Sequence, residues 1–378
     1  MNLRNIPHIV FDTATIGFQN NRVFDPTYAA KFPGALVWSV LSNHVTKRGW
    51  EIMTSDVFLK KPVRPSQAFC ISEMVTPFTM SVLESGAVPL VIMSAESPNV
   101  ACEFYHNLNM YTQLYRHAFL FSGAGERVGF STLFHPLYWP NTCRDVKLGL
   151  GWNERQFLVM VAGNKHRFLI NEHKPLKSLR RLVKRLVWSY MCFTDKLFQL
   201  KDLYQERADA ICYFADVSGF RLFGTGWDIQ RSLNNAQWQV IQKLKPTFVE
   251  DKMDVLGRFR FAVCFENCVF PGYVTEKIFD CFMAGCIPIY LGAPDISDFV
   301  PASSFIDYRH FGNYTALERF MRQMTEPEAF KYLKSAREFL ASPEFEKFTA
   351  DWFVNNLMDI IGQEFDSQSK KGWCPPIK

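Results

Sequence analysis

Short apolar runs alternate with segments of mixed polarity along the whole chain. In the first half the apolar runs are His8 to Phe11, Ile52 to Phe58, Phe69 to Val75, Val88 to Met93 and Ala118 to Phe121. Runs this short, rich in branched and aromatic residues, predict strands, whereas Pro77 to Ser85 and Glu103 to Tyr115 have the mixed pattern of helices. Between His135 and Asn153 the periodicity lapses around Pro136, Pro140, Gly149 and Gly151, which predicts a connection between domains. The pattern restarts with Phe157 to Ala162, then with Phe220 to Phe223, closed by Gly224-Thr225-Gly226. From Phe259 to Phe265 the odd positions are all large and apolar, as in a strand set inside a core. Glu266 to Tyr273, with Pro271 and Gly272, reads as a loop. Thr275 can cap a helix whose Val274, Ile278, Cys281 and Phe282 share a face; Gly285 stops it, and Ile287 to Leu291 forms the next strand. Tyr314 to Gln323 and Phe345 to Ile361 predict further helices. Strand and helix in alternation predict an α/β protein.

A chain of 378 residues exceeds what one core usually serves, so the reading is residues 1–150 as an N-terminal domain, 151–345 as a C-terminal domain, and 346–378 as a helix and tail returning to the first. With 48% hydrophobic and 21% charged residues, general disorder is excluded. No apolar stretch approaches the ~18 residues that cross a bilayer, and no signal-type segment follows Met1 to His8, so the expectation is a cytoplasmic protein. The ten cysteines are scattered through apolar runs, which fits buried thiols in a reducing compartment. Cys264, Cys268, Cys281 and Cys286 lack the spacing of a zinc knuckle, and no metal site is expected.

Net charge is +5, but residues 164–207 carry eleven Lys and Arg against four Asp and Glu; that local +7 leaves −2 for the rest. Such local basicity suits a small anion or an anionic surface, not a nucleic acid. Within it, Ser178 to Tyr190 sets Leu179, Leu182, Val183 and Leu186 opposite Arg180, Arg181, Lys184 and Arg185. That helix reads as a solvated face, with peripheral contact to an anionic membrane as the second reading. The tail Lys370 to Trp373 reads as a frayed terminus, with membrane contact again second.

The loop Glu266 to Lys277 falls beyond the carboxyl end of a strand and opens a helix, where backbone N–H groups and the helix dipole receive anions. Lys277 is a cation in a first turn, where cations are disfavoured unless an anion is near. Glu276 can accept hydrogen bonds from sugar or ribose hydroxyls, and Tyr273 can stack or donate. These are the parts of a nucleotide diphosphate site; taken singly, each also fits a solvated helix start.

Phe265-Glu266-Asn267-Cys268, Tyr273-Val274-Thr275-Glu276-Lys277-Ile278, Gly285 to Gly292 and Pro301 to Ile306 resemble, in order and spacing, the signature of family 10 glycosyltransferases, the α-1,3/1,4-fucosyltransferases. Weaker similarity reaches Lys252, Arg207 with Ala210 to Phe214, Phe157 to Lys165, and Glu96-Ser97-Pro98. Cys268 departs from the family's usual Ser, and the absence of the animal Golgi enzymes' anchor suggests a bacterial-type member.

The resemblance implies a GT-B fold, two Rossmann-like domains facing a cleft, with GDP-fucose on the C-terminal domain and a glycan acceptor on the other. It implies Arg207 and Lys277 on the diphosphate, Glu276 on hydroxyls, Asn267 and Tyr273 in the pocket wall, and Glu266 and Thr275 in the same donor loop. Asn164 and Lys165, after the first strand of that domain, are further donor contacts. Glu96 is the implied general base, with Glu103 in reserve. The reaction is an inverting transfer of fucose to an α-1,3 or α-1,4 linkage. No Asp-x-Asp triad occurs in the chain, and neither a metal nor another cofactor is expected. A GT-B transferase using another nucleotide sugar would keep the two cations; a non-catalytic binder of nucleotide sugars would keep the pocket. Gly123 to Gly129 has one residue too many for a dinucleotide fingerprint, against a dehydrogenase.

Overall fold

The apolar runs become the strands of two separate parallel sheets in a computed structural model that describes residues 6–62, 67–143, 150–164, 200–230 and 233–371. Lys165, the basic stretch 178–190 and the tail beyond 371 lie outside the described residues. The chain forms two compact units, one of residues up to 96, 103–142 and 346 onward, the other of 97–102 and 143–345.

The first unit holds β1 (His8–Thr13), β2 (Glu51–Thr54), β3 (Ala68–Glu73), β4 (Val88–Met93), β5 (His117–Leu120) and β6 (Leu133–Pro136), in the order β2-β1-β3-β4-β5-β6. All neighbours run parallel. β1, β3 and β4 are almost wholly buried, which is why they print in the sequence as unbroken apolar runs. One expectation needs correction. Ile52 to Phe58 is not a single strand: pairing with β1 ends at Thr54, and Ser55–Lys60 turns into a helix with Asp56 in its first turn. The apolar Val57 and Phe58 continue the run while packing from that helix.

Helix α1 (Leu36–Lys47) lies against the long C-terminal helix α4 (Ala350–Lys371). Arg48 donates to the Met358 carbonyl at 3.2 Å, and the Trp38 and Phe353 rings meet edge to face. Asn141 and the segment leading into α4 exchange backbone bonds, Asn141 N–H to Phe348 O at 2.7 Å and Ala350 N–H to Asn141 O at 2.8 Å. The last helix is therefore bound to the first unit. Among the described residues no helix is long and apolar enough to cross a membrane.

At the β5–β6 edge, His117 Nδ1 lies 2.9 Å from His135 Nε2, and His135 stacks on Phe119. Burial, reinforced by His135 and by Arg116 and opposed by Glu364, pushes the His117 imidazole down to about 4. In the unfolded chain it titrates near 6.5, so below that pH the unfolded chain binds a proton the folded protein refuses until about pH 4. Stability is thus complete above about 6.5 and falls as pH drops through this window, by about 2 kcal/mol after allowing for partial solvent contact. Urea midpoints at pH 7.5 and 4.5 should differ markedly more in the wild type than in His117→Asn.

The second unit carries β7 (Gln156–Val161), β8 (Phe220–Phe223), β9 (Phe259–Phe265), β10 (Ile287–Leu291) and β11 (Ile306–Asp307), ordered β11-β10-β9-β7-β8 and again parallel. Helix α2 (Tyr204–Phe214) precedes β8, and helix α3 (Glu276–Met283) joins β9 to β10. Phe261, Val263 and Phe265 of β9 reach one core with Leu158, Phe214, Ile287 and Leu317. Gly224 ends β8 with φ +131° and sits so close to Ala162 that a Cβ would strike the Ala162 carbonyl; only glycine closes this turn.

In both sheets the chain steps outward, then crosses back to the other side of its first strand. That reversal lies between β1 and β3 in one unit and between β7 and β9 in the other. At such points the loops leaving adjacent strands diverge and open a crevice at the carboxyl edge.

Candidate active site

The crevice of the second sheet gathers most of the residues singled out in the donor half. Asn164 follows β7, Glu266 and Asn267 follow β9, Arg207 reaches in from α2, and Lys277 stands in the first turn of α3. Asn164 donates its amide to the carbonyls of Gly226 and Ile229, at 3.0 and 2.8 Å, and so fixes the turn after β8. A small, solvent-open pocket is lined by Gly163, Asn164, Tyr204, Arg207 and Trp227.

Arg207 is 5% exposed. Its Nε and Nη2 donate to the Phe265 carbonyl at 3.1 and 2.6 Å, and Nη2 also donates to Asn267 Oδ1 at 3.0 Å. The guanidinium lies over the Tyr204 ring, 5.4 Å from its centroid. Among the described residues its hydrogen bonds go to neutral acceptors, so the fork is fixed in place while its charge stays available to an anion.

Lys277 is held differently. Its ammonium donates to Glu266 Oε2 and to Thr275 Oγ1, both at 2.8 Å, and lies 3.6 Å from Glu276. Glu266 has no exposed surface and also accepts from the Thr275 N–H at 3.0 Å and the Thr275 hydroxyl at 2.7 Å. Burial works against the ammonium, but Glu266 and Glu276 outweigh both burial and the repulsion of Arg207, and Lys277 holds its proton more firmly than a free lysine. The two cations grip one short stretch of chain, Arg207 at Phe265 and Asn267 and Lys277 at Glu266 between them. Burial likewise pulls Glu276 up, and Lys277, Lys252 and the surrounding hydrogen-bond donors overcome it, bringing its carboxyl down to about 2. Lys252 in turn pairs with Asp280 at 2.6 Å.

Three assignments change with this geometry. Thr275 occupies the N-cap position of α3 but makes no side-chain cap bond, because its hydroxyl donates to the buried Glu266 carboxylate. Glu266 is enclosed as the counter-ion of Lys277. Tyr273 does not offer a face to a ligand: it is 2% exposed, and its hydroxyl accepts from Asn267 Nδ2 at 3.0 Å. It supports Asn267, which in turn orients Arg207. The fit around Glu266 is close enough to require Gly292, where a Cβ would fall 2.6 Å from Glu266 Cγ and from the Tyr290 hydroxyl.

Glu96 lies beyond the end of β4 in the first unit, with its carbonyl accepting from the Tyr105 hydroxyl at 3.0 Å and its N–H donating to Ser94 Oγ at 3.3 Å. Glu103 is exposed in the short helix Cys102–His106. Sequence reasoning missed Glu73. It ends β3, beside Thr13 at the end of β1, and accepts from the Thr13 hydroxyl at 3.0 Å. Burial, with the Glu96 charge adding to it and the Thr13 bond opposing, pushes the Glu73 carboxyl up. The next residue, Met74, has φ +63°, unusual outside glycine, and is held there by its N–H bond to the Met93 carbonyl. Its register beside Met93 of β4 is set by the fold, and no signal in the sequence marks it. Cys264, Cys281 and Cys286 are buried among packing residues, and among the described residues no three His, Cys, Asp or Glu side chains gather as a cation would need.

Two parallel α/β sheets with a cationic crevice at the carboxyl edge of the second define the class: the fold is that of the GT-B glycosyltransferases. A sucrose-phosphate synthase from Thermosynechococcus elongatus superposes with a TM-score of 0.55 at 11% identity, covering 96% of this chain and 100% of that one. An alpha1,3-fucosyltransferase superposes at 0.51 and 15% identity, covering 96% and 92%. Residues 228–347 match the family model described as glycosyltransferase family 10 (fucosyltransferase), C-terminal. The alpha-(1,3)-fucosyltransferase FucT of Helicobacter pylori is 43% identical over 67 residues, 18% of this chain and 14% of that protein. An alpha-(1,4)-fucosyltransferase of Arabidopsis thaliana is 36% identical over 76 residues, 20% and 19%. The chain thus matches less than a fifth of the length of either relative.

Proposed function

We propose that the protein is an inverting glycosyltransferase that moves L-fucose from GDP-β-L-fucose to a hydroxyl of a glycan acceptor, in α-1,3 or α-1,4 linkage. The observation that carries this reading is the Arg207 guanidinium, immobilised at the switch point of the second sheet by the neutral acceptors Phe265 and Asn267, on either side of the Glu266 that holds the Lys277 ammonium at the start of α3. Two fixed cations beside a helix start suit a pyrophosphate, and the family match and the named relatives point to GDP-fucose as its carrier.

The chemistry is a single displacement. The acceptor oxygen attacks C1 of fucose, the C1–O bond to the diphosphate breaks, and GDP departs with the electron pair. Arg207 and Lys277 stabilise the charge that gathers on GDP, more strongly in the transition state than in the bound donor. Glu96 takes the proton from the acceptor hydroxyl. Glu276, firmly ionised, accepts hydrogen bonds from sugar or ribose hydroxyls, and Asn164 and Asn267 shape the pocket around Arg207.

Incubating the purified protein with GDP-fucose, GDP-mannose and UDP-sugars and a panel of small glycans tests this. Fucose transfer with GDP-fucose alone is expected. Transfer from a different donor would assign the same crevice to another nucleotide sugar, and tight GDP-fucose binding without transfer would make the protein a binder.

A further inference from the structure

We propose that Ser97 and Asn99 form a subsite that hydrogen-bonds the hydroxyl groups of a sugar substrate. Both residues are 0% exposed, and among the described residues the Ser97 hydroxyl and both polar atoms of the Asn99 amide have no hydrogen-bond partner. The backbone around them is not short of bonds. The Ser97 carbonyl accepts from the N–H groups of Val100 and Ala101, each at 2.9 Å, and the Asn99 carbonyl accepts from the Cys102 thiol at 3.2 Å. The turn is closed through its main chain while its polar side chains are left unanswered.

Buried polar side chains almost always find a partner, because leaving one unmade forfeits its hydration with nothing in return. Three such atoms within three residues mark a place where a bound molecule completes the bonding. Their chemistry narrows the class. An amide offers two donors and an acceptor, a serine hydroxyl one donor and two acceptors, and neither carries charge. That set matches neighbouring sugar hydroxyls, each both donor and acceptor, better than a phosphate, which needs donors alone. The chain position agrees, since Ser97 directly follows Glu96, the proposed base. The inference rests on the reading that the protein transfers a sugar, and the hydroxyls belong either to the acceptor glycan or to the fucosyl group of the donor.

Asn99→Leu and Ser97→Ala in the full chain separate these possibilities. A side chain kept for a ligand stabilises nothing in its absence, so Asn99→Leu, close in size, should melt at or above the wild-type temperature. The KM for one sugar substrate should rise at least tenfold in either variant while that for the other is unchanged. A rise for the glycan assigns the pair to the acceptor, and a rise for GDP-fucose assigns it to the donor. The smaller Ser97→Ala change keeps the test available if the leucine variant does not fold. Saturation-transfer NMR with GDP-fucose and with free glycan reads the same binding without turnover. A wild type that binds these sugars but transfers none would therefore sink the transferase reading alone. If wild type and both variants bind both sugars equally, and KM values stay within twofold, the side chains hold only water and the subsite is refuted.

Discussion

Replacing Lys277 by Met is expected to lower kcat for fucose transfer by roughly a hundred- to a thousand-fold, the range lost when one fixed donor to a developing negative charge is removed. The same change should also destabilise the protein, for a separate reason. Glu266 has no exposed surface, and Lys277 is its only cationic partner among the described residues. Without the ammonium, a buried carboxylate keeps only the Thr275 N–H and hydroxyl as donors. Stranding one member of a buried pair costs several kcal/mol when both are enclosed; with Lys277 partly exposed, roughly 2 to 3 kcal/mol is expected.

The two effects can be pulled apart. In Lys277→Met combined with Glu266→Gln, the buried group is neutral and its carbonyl still accepts from Thr275, so most of the lost stability should return. The cation that faces the leaving group does not return, and turnover should stay as low as in the single variant. Urea midpoints and kcat on the wild type, both single variants and the double variant close the cycle. Recovery of both quantities in the double variant would mean that Lys277 serves only to neutralise Glu266.

The sequence carried three strands of the second sheet almost residue for residue: Ile287–Leu291 is buried throughout and prints as an apolar run, while Phe259–Phe265 and the edge strand Phe220–Phe223 keep large apolar residues around a single more open arginine, Arg260 and Arg221. The same reasoning overran at Ile52 to Phe58, where apolar residues of a strand and of the helix after it are continuous in sequence and separate only in direction. The donor loop was legible as a site because its residues lie close together in the chain. Which of them face a ligand was not. That Glu266 is enclosed while Lys277 stays partly open depends on Gly292 and Tyr290, contributed by the next strand and its loop. Glu73 was beyond reach for a similar reason: a lone Glu at a strand end means nothing until the register sets it beside Thr13 and near Glu96. The unpartnered amide of Asn99 leaves no trace in sequence at all, since a satisfied and an unsatisfied asparagine are spelled alike.

Glu96→Gln should reduce kcat by about a thousand-fold near neutral pH, within the span that general base catalysis supplies. The amide keeps the size of the side chain but cannot take a proton, so the acceptor must release its proton to water or late in the displacement. The backbone of residue 96 is held by Tyr105 and Ser94, bonds the substitution does not touch, so the local fold and thermal stability should be unchanged. GDP-fucose binds through the second unit in this reading, and calorimetric titration should give the wild-type dissociation constant within a factor of two. Loss of turnover with donor affinity intact is the signature of a missing base; parallel loss of both would point instead to Glu96 holding substrate. A second readout does not depend on activity. The Glu96 charge helps keep the Glu73 carboxyl up, so in Glu96→Gln the carboxyl resonance of Glu73, followed by carbon NMR, should titrate at lower pH than in the wild type. If that titration does not move, the two carboxylates are not neighbours in solution, and the acceptor-side site must be built around some other group.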